Sequence, residues 1–183
     1  MYIEILLLVI IFILAEITHL IFLYYLLILV FLLCLPGIFA LFTAPYVPSL
    51  KKNAEAMIKL ADVKPGMKVY ELGAGDGRLV TKMAEQGAEV VGYEISFALF
   101  LFFWFKKTIF FKKGRVFWGN IWTKDISDAD VVVCFLMPNA MKKFSEKKFS
   151  TMKKGARLVT NTFGLPGKKP KKTQNGVYLY IKD

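Results

Sequence analysis

The chain has 183 residues, 56% of them apolar, and a formal charge of +11. That length allows one ordinary domain plus an appendage, and the apolar share exceeds that of a simple soluble domain. Two cysteines far apart, Cys34 and Cys134, no C-x-x-C and one histidine, His19, exclude a disulfide framework, a metal cluster and a Ser-His or Cys-His catalytic unit.

Residues 1–42 are almost unbroken Leu, Ile, Val and Phe, and up to residue 50 there is no Lys or Arg and only Glu4 and Glu16 as acids. A membrane span needs about 20 such residues, and this run is roughly twice that. It is too long for the apolar region of a cleaved signal and lacks the basic start of one. One expectation is a single long helix whose main membrane stretch is 19–35; the other is two short helices turning near Glu16 and His19. Those two polar residues share a helix face and belong at an interface or in a helix contact rather than in lipid. Pro36-Gly37 marks a kink or stop. Lys51-Lys52 follow at once, so the positive-inside rule puts residues 51–183 in the cytoplasm.

Ala44-Pro45-Tyr46-Val47-Pro48 predicts a stiff, extended linker over residues 44–50, because residues before Pro avoid the helical region. Ser49 is the expected cap of a helix from Leu50 to about Ala61, with Ala54, Met57, Ile58 and Ala61 on one face. Lys64-Pro65-Gly66 turns the chain into the next strand.

Residues 68–94 carry the strongest pattern. Val69-Tyr70-Glu71-Leu72 reads as a strand that stops at Gly73-Ala74-Gly75-Asp76-Gly77. Leu79, Val80, Met83 and Ala84 then recur at helical spacing, Gly87 ends the helix, and Glu89-Val90-Val91-Gly92-Tyr93 is a second strand closing on Glu94. Strand, glycine loop, helix and strand make the first half of a nucleotide-binding α/β sheet. Its glycines let backbone pass close under a ligand beside a helix N-terminus. Glu94, about 20 residues after the loop, is placed to accept ribose hydroxyls. The spacing is E-x-G-x-G-x-G, and Arg78 stands where a dinucleotide fingerprint needs its third glycine. A carboxylate at Glu71 would repel a pyrophosphate. It suits a ligand with a cationic end, which points to the ammonium and sulfonium of S-adenosylmethionine.

Beyond Glu94, the stretch 97–105 is apolar all round, whereas a helix on a sheet face normally shows a polar outer side. Lys106, Lys107, Lys112, Lys113 and Arg115 follow, so this helix is expected to dip into a membrane interface; the alternative is complete burial under the N-terminal segments. Arg115-Val116-Phe117-Trp118 is a third strand, after which Asn120 is placed to read an adenine edge, with Ile121 and Trp122 against the ring, or to make an ordinary turn. The apolar strand 130–135 suits the centre of a parallel sheet and opens at Leu136-Met137-Pro138-Asn139. A Lys-rich helix to about Met152, a strand at 156–160 ending on Asn161-Thr162-Phe163, a basic loop at 168–172 and an alternating strand at 177–181 complete the chain. Residues 51–183 hold all 25 basic residues and 12 acids (the 14 of the chain less Glu4 and Glu16), a net +13.

With these motifs in place, the chain resembles class I S-adenosylmethionine-dependent methyltransferases, and among them the short, often membrane-anchored protein-lysine methyltransferases. The likeness rests on Pro45-Tyr46-Val47-Pro48, Lys64-Pro65-Gly66, residues 70–78, Gly92-Tyr93-Glu94, Ala129-Asp130-Val131-Val132, Lys154-Gly155-Ala156-Arg157-Leu158-Val159 and Val177-Tyr178-Leu179-Tyr180. It implies an α/β, Rossmann-like sheet of the seven-stranded methyltransferase type, or an abbreviated form of it, behind an N-terminal transmembrane segment. Expected domains are an anchor at 1–43, a linker at 44–50 and a methyltransferase domain at 51–183. The implied cofactor-binding residues are Tyr46, Glu71, Gly73, Ala74, Gly75, Asp76, Gly77, Glu94, Asn120 and Ile121, with the segment 45–48 over the site. Departures fall on the acceptor side: Asn161-Thr162 stand where better-known members have a His-Asp type pair, and Lys168 where they have an aromatic.

The expected reaction is methyl transfer to a lysine of a protein at an anionic membrane surface. Alignment and exclusion of water are the protein's main tasks. The amine must arrive neutral, which a desolvating pocket promotes; Phe135, Leu136, Pro138, Asn139, Asn161 and Phe163 are the acceptor-pocket candidates. No residue stands out as a general base. The rivals are methylation of a lipid or hydrophobic small molecule, which the helix at 97–105 would favour, and a non-catalytic membrane-tethered binding module. Neither nucleic acid nor a metal is expected, since a membrane anchor and Lys pairs suit lipid headgroups better.

Overall fold

The structure, a computed structural model, describes residues 2–42, 47–110 and 113–183, without the side chains of residue 4 and of residues 33–42. The chain divides into two units, residues 1–43 and 44–183.

The first unit is one helix, α1 (Tyr2–Phe42). It runs unbroken through Glu16 and His19, so the two-helix alternative fails, and Pro36-Gly37 is not a stop. Its candidate membrane span is Ile5–Leu32, 28 residues long. That stretch overlaps the expected 19–35 and contains both Glu16 and His19.

In the second unit seven strands form one sheet in the order β3-β2-β1-β4-β5-β7-β6. They are β1 (Lys68–Leu72), β2 (Glu89–Glu94), β3 (Arg115–Trp118), β4 (Val131–Cys134), β5 (Arg157–Asn161), β6 (Lys172–Gln174) and β7 (Val177–Ile181). The first five run parallel; β7 is antiparallel to both β5 and β6. The helices are α2 (Lys51–Ala61), α3 (Arg78–Glu85), α4 (Phe97–Phe110) and α5 (Pro138–Lys147).

Burial follows the pleat. On β4, Val131 and Val133 join the core under α2, α3 and α4, while Val132 and Cys134 join the opposite core with Met141 and Phe144 of α5. A strand covered on both faces has to be apolar throughout, as this one is. Leu79, Val80, Met83 and Ala84, the periodic residues of α3, are all buried.

Several expectations are corrected. Leu50, not Ser49, is the N-cap of α2, and no side chain bonds there. The Ser49 hydroxyl instead accepts from Asn161 Nδ2 at 3.1 Å. A tertiary partner has displaced the local cap. The basic loop expected at 168–172 ends in a further strand, β6, at Lys172, and this strand is the sheet edge beyond β7. Three polar residues leave no sequence alternation, and short charged strands are what edges use. The Lys-rich helix stops at Lys147, before a 3-10 turn at Phe149–Thr151. Within the second unit, only Phe103 of α4 is buried.

Candidate active site

The register of the parallel strands assembles the site. Tyr93, Leu72, Cys134 and Thr160 lie opposite one another on β2, β1, β4 and β5. One residue further, at the carboxyl rim, stand Glu94, Gly73, Phe135 and Asn161. Strands are about 4.8 Å apart, so this row spans roughly 14 Å. The connections reverse direction between β1 and β4, which is where open α/β sheets hold ligands.

On the β1–β2 side the backbone is shaped for close approach. Gly73 has φ +82°, and a Cβ there would meet nothing within 4 Å, so the space above it is open. Its N–H and that of Ala74 both donate to the Tyr93 carbonyl, at 2.9 and 3.0 Å, which lashes the loop to β2. Glu94 is 6% exposed. Its Oε2 accepts the Gly75 N–H at 2.8 Å and its Oε1 the Ser96 N–H at 2.8 Å. A carboxylate has about four lone-pair sites, so two remain after these bonds. The Gly119 N–H donates to the Glu94 carbonyl at 2.9 Å and brings the next loop alongside. There Asn120 is exposed and its Oδ1 accepts the Trp122 N–H at 3.0 Å, while Ile121 is half-buried. The turn expected as the alternative role of Asn120 is therefore formed, and its side-chain amide donors are not spent on that bond.

Glu71 sits differently from the other carboxylates. It is 5% exposed and its Oε2 accepts the Val80 N–H in the first turn of α3 at 3.0 Å. Burial pushes this carboxyl well above the ordinary range, and the Val80 hydrogen bond only partly offsets that. Burial also raises Asp76, but the Arg78 hydrogen bond at 2.9 Å and the Lys106 ammonium outweigh it and hold Asp76 below its usual value. Gly77, at φ +70°, lies under the Phe103 ring of α4. Tyr46 lies outside the described residues.

On the β4–β5 side the Phe135 and Phe163 rings stack with centroids 6.4 Å apart, both half-buried, and make an apolar wall. Leu136 is half-buried; Pro138, the first residue of α5, and Asn139 are exposed at the rim. Asn161, 2% exposed, faces the start of α2. Its Oδ1 accepts from Asn53 Nδ2 at 2.8 Å and from Thr162 Oγ1 at 3.2 Å, and its Nδ2 donates to Ser49. The Ser49 carbonyl also accepts from Arg78 Nη1 at 3.5 Å. Asn161 thus holds the segment entering α2 against the rim. Ser49, Asn53, Ser96 and Phe103 were not legible as site residues, because each is recruited by a partner distant in sequence or by helix packing. Cys134 is buried, and burial pushes its thiol up to about 12, so it is no nucleophile. Among the described residues no cluster of three or more metal-ligating side chains occurs.

The family profile described as the ANTKMT methyltransferase domain matches residues 71–172, from the carboxylate before the glycine loop to the start of β6. A protein-lysine N-methyltransferase of Saccharolobus islandicus is 32% identical over 152 residues, 75% of this chain and 92% of that protein. The adenine nucleotide translocase lysine N-methyltransferase of Mus musculus is 28% identical over 135 residues, 69% of this chain. The chain spans little more than half, 56%, of that protein's length. Among solved structures, an RNA methyltransferase from Salinibacter ruber in complex with S-adenosyl-L-homocysteine superposes with a TM-score of 0.68. It is 30% identical and covers 74% of this chain and 94% of its own.

Proposed function

We propose, for a chain that belongs to the ANTKMT-type family of S-adenosylmethionine-dependent methyltransferases, that it N-methylates a lysine side chain of a protein at a membrane, with α1 as its anchor and residues 51–183 on the cytoplasmic side. The observation that carries this reading is the rim row Glu94–Gly73–Phe135–Asn161. It sets a hydroxyl-binding carboxylate and an open glycine at one end and an aromatic wall at the other, within the reach of one nucleoside and one side chain.

Bound S-adenosylmethionine supplies the activated methyl group. The chain's own residues align and dry the site. Glu94 holds the ribose hydroxyls with the lone pairs left by Gly75 and Ser96, and Asn120 offers its amide to the base. Glu71 stands beneath the loop; a cationic ligand nearby would draw its proton off. Phe135 and Phe163 strip water from the incoming amine, which lowers its pKa and keeps it neutral for attack. Its proton leaves to water beforehand, so no general base is needed. The relatives named as lysine methyltransferases support the acceptor, and the 28-residue apolar stretch of α1 supports the anchor.

The test is to incubate the full chain with membranes and tritium-labelled donor, then separate protein, lipid and RNA. Label in protein, recovered as methyl-lysine on hydrolysis, is the expected result. Label confined to lipid or to RNA overturns the acceptor. Donor binding with label in no fraction overturns catalysis in favour of a binding module.

A further inference from the structure

Resting on the membrane anchoring just proposed, we infer that α4 is a second membrane contact, an interfacial helix whose outer side docks into the headgroup layer of an anionic bilayer. On a soluble sheet protein the outer side of such a helix is polar. Here no residue from 97 to 105 is polar, and Phe102, Trp104 and Phe105 are exposed, the last two at 57% and 59%. Phe102, Phe105 and Ile109 recur at helical spacing on one face. The exposed Trp118 indole of β3 meets the Phe97 ring edge-on at 5.2 Å and extends the patch beyond the helix.

Charge selects the occupant. Residues 95–124 contain six Lys and Arg and no Asp or Glu. Lys106 lies over the Phe102 ring at 5.2 Å, and Lys107 reaches the Gly114 carbonyl at 2.9 Å. Aromatics with cations at one margin match a headgroup layer of negative lipids, where the rings sit among the carbonyls and the ammoniums meet phosphate. A second copy of this chain would bring the same positive margin and repel. The inner side of α4 rests on the glycine loop through Phe103 at Gly77, and at its edge the Lys106 ammonium, over the Phe102 ring, lies 3.7 Å from Asp76. Docking therefore sets the donor rim about one helix diameter, roughly 10 Å, from the lipid surface. The acceptors within reach are lysines of membrane proteins at headgroup level.

The experiment reconstitutes the full chain carrying Trp118→Phe and Trp122→Phe, with Trp104 as its only indole, into vesicles containing about 30 mol% phosphatidylglycerol. Flotation after an alkaline carbonate wash reports insertion of α1. Fluorescence then reports quenching of Trp104 by lipids brominated near the headgroup or near the chain end. Docking predicts about twofold or greater quenching by the shallow bromines, weaker quenching by the deep ones, and a loss of both in neutral vesicles. A chain that does not float overturns the anchor and this inference with it. A chain that floats with Trp104 unquenched overturns the docking alone, and a Trp104 then also shielded from iodide assigns the face to contacts within or between copies of this chain. The unaltered chain provides a second reading. Amide exchange across residues 97–110 slows by about tenfold in anionic relative to neutral vesicles; equal rates overturn the inference.

Discussion

A Cβ at Gly77 would stand 2.1 Å from Cδ2 of Phe103, so the glycine loop and α4 meet with no side chain between them. Gly77→Ala adds both the cost of φ +70° and an overlap with the ring, about 2–4 kcal/mol together. In a Phe103→Ala background the overlap disappears and only about 1–2 kcal/mol remains. Urea unfolding of the four proteins of this double-mutant cycle checks it. Additive losses would show that the two residues do not meet.

Glu94→Gln keeps one acceptor oxygen where the carboxylate has two, so either Gly75 or Ser96 loses its bond. The fold should lose about 1 kcal/mol. Donor affinity, read by calorimetry, should fall about ten- to hundredfold, because hydrogen bonds to the charged group are lost. Wild-type affinity in this variant would remove Glu94 from the donor site.

The Glu71 carboxyl titrates higher in the folded chain than its ordinary 4.5, because burial disfavours its charge. Between the unfolded and folded values the folded state holds the extra proton, so stability contributed by this group is lost as pH rises through that window. Glu71→Gln removes the titration and keeps an acceptor for Val80. The variant should therefore match or exceed the parent in stability, by a margin that grows as pH rises above the ordinary carboxylate range. Donor affinity should nonetheless fall, since Gln cannot pair with a cation. Parallel pH–stability curves for the two proteins would refute the buried-carboxyl account.

Asn161→Ala strands Asn53 and Ser49 at the rim. Stability should drop by about 1–3 kcal/mol. The acceptor KM should rise more than the donor Kd, because the segment entering α2 loosens while the glycine loop keeps its bonds to Tyr93. Equal changes in the two constants would argue for a purely structural residue.

Phe163→Ala opens the aromatic wall against Phe135. A lysine amine in a wetter pocket keeps a pKa nearer its free value of about 10.4. The pH–rate profile for kcat should then shift to higher pH, with a loss of about tenfold near pH 7.5 that recovers in alkali. A profile that falls without shifting would remove desolvation from the mechanism.

The α/β class and the glycine loop with its flanking carboxylates were readable because both depend on local patterns. The run from Val69 to Glu94 switches period from strand to helix and back across glycines at φ +82°, +57° and +70°, and backbone geometry of that kind leaves its mark on residue choice. The all-valine start of β4 announced a strand buried on both faces. By contrast β6 is three polar residues whose only reason to be a strand is the neighbouring β7, and no periodicity records that. Ser49 has the residue type of a helix cap but was claimed by Asn161, 112 positions away.

By itself, then, the sequence determined the order of elements, the glycine loop, the carboxylate at the end of β2 and an apolar helix long enough to cross a bilayer, since each rests on contacts within about 20 residues. The tertiary structure alone decided that Glu71 turns its carboxyl to α3, that Asn161 spends its amide on the chain entering α2, and that Phe103 rather than any other ring of α4 is buried, against the glycine loop. Those choices depend on which strands become neighbours. Parallel pairing across long connections brings together residues whose spacing along the chain carries no trace of the meeting.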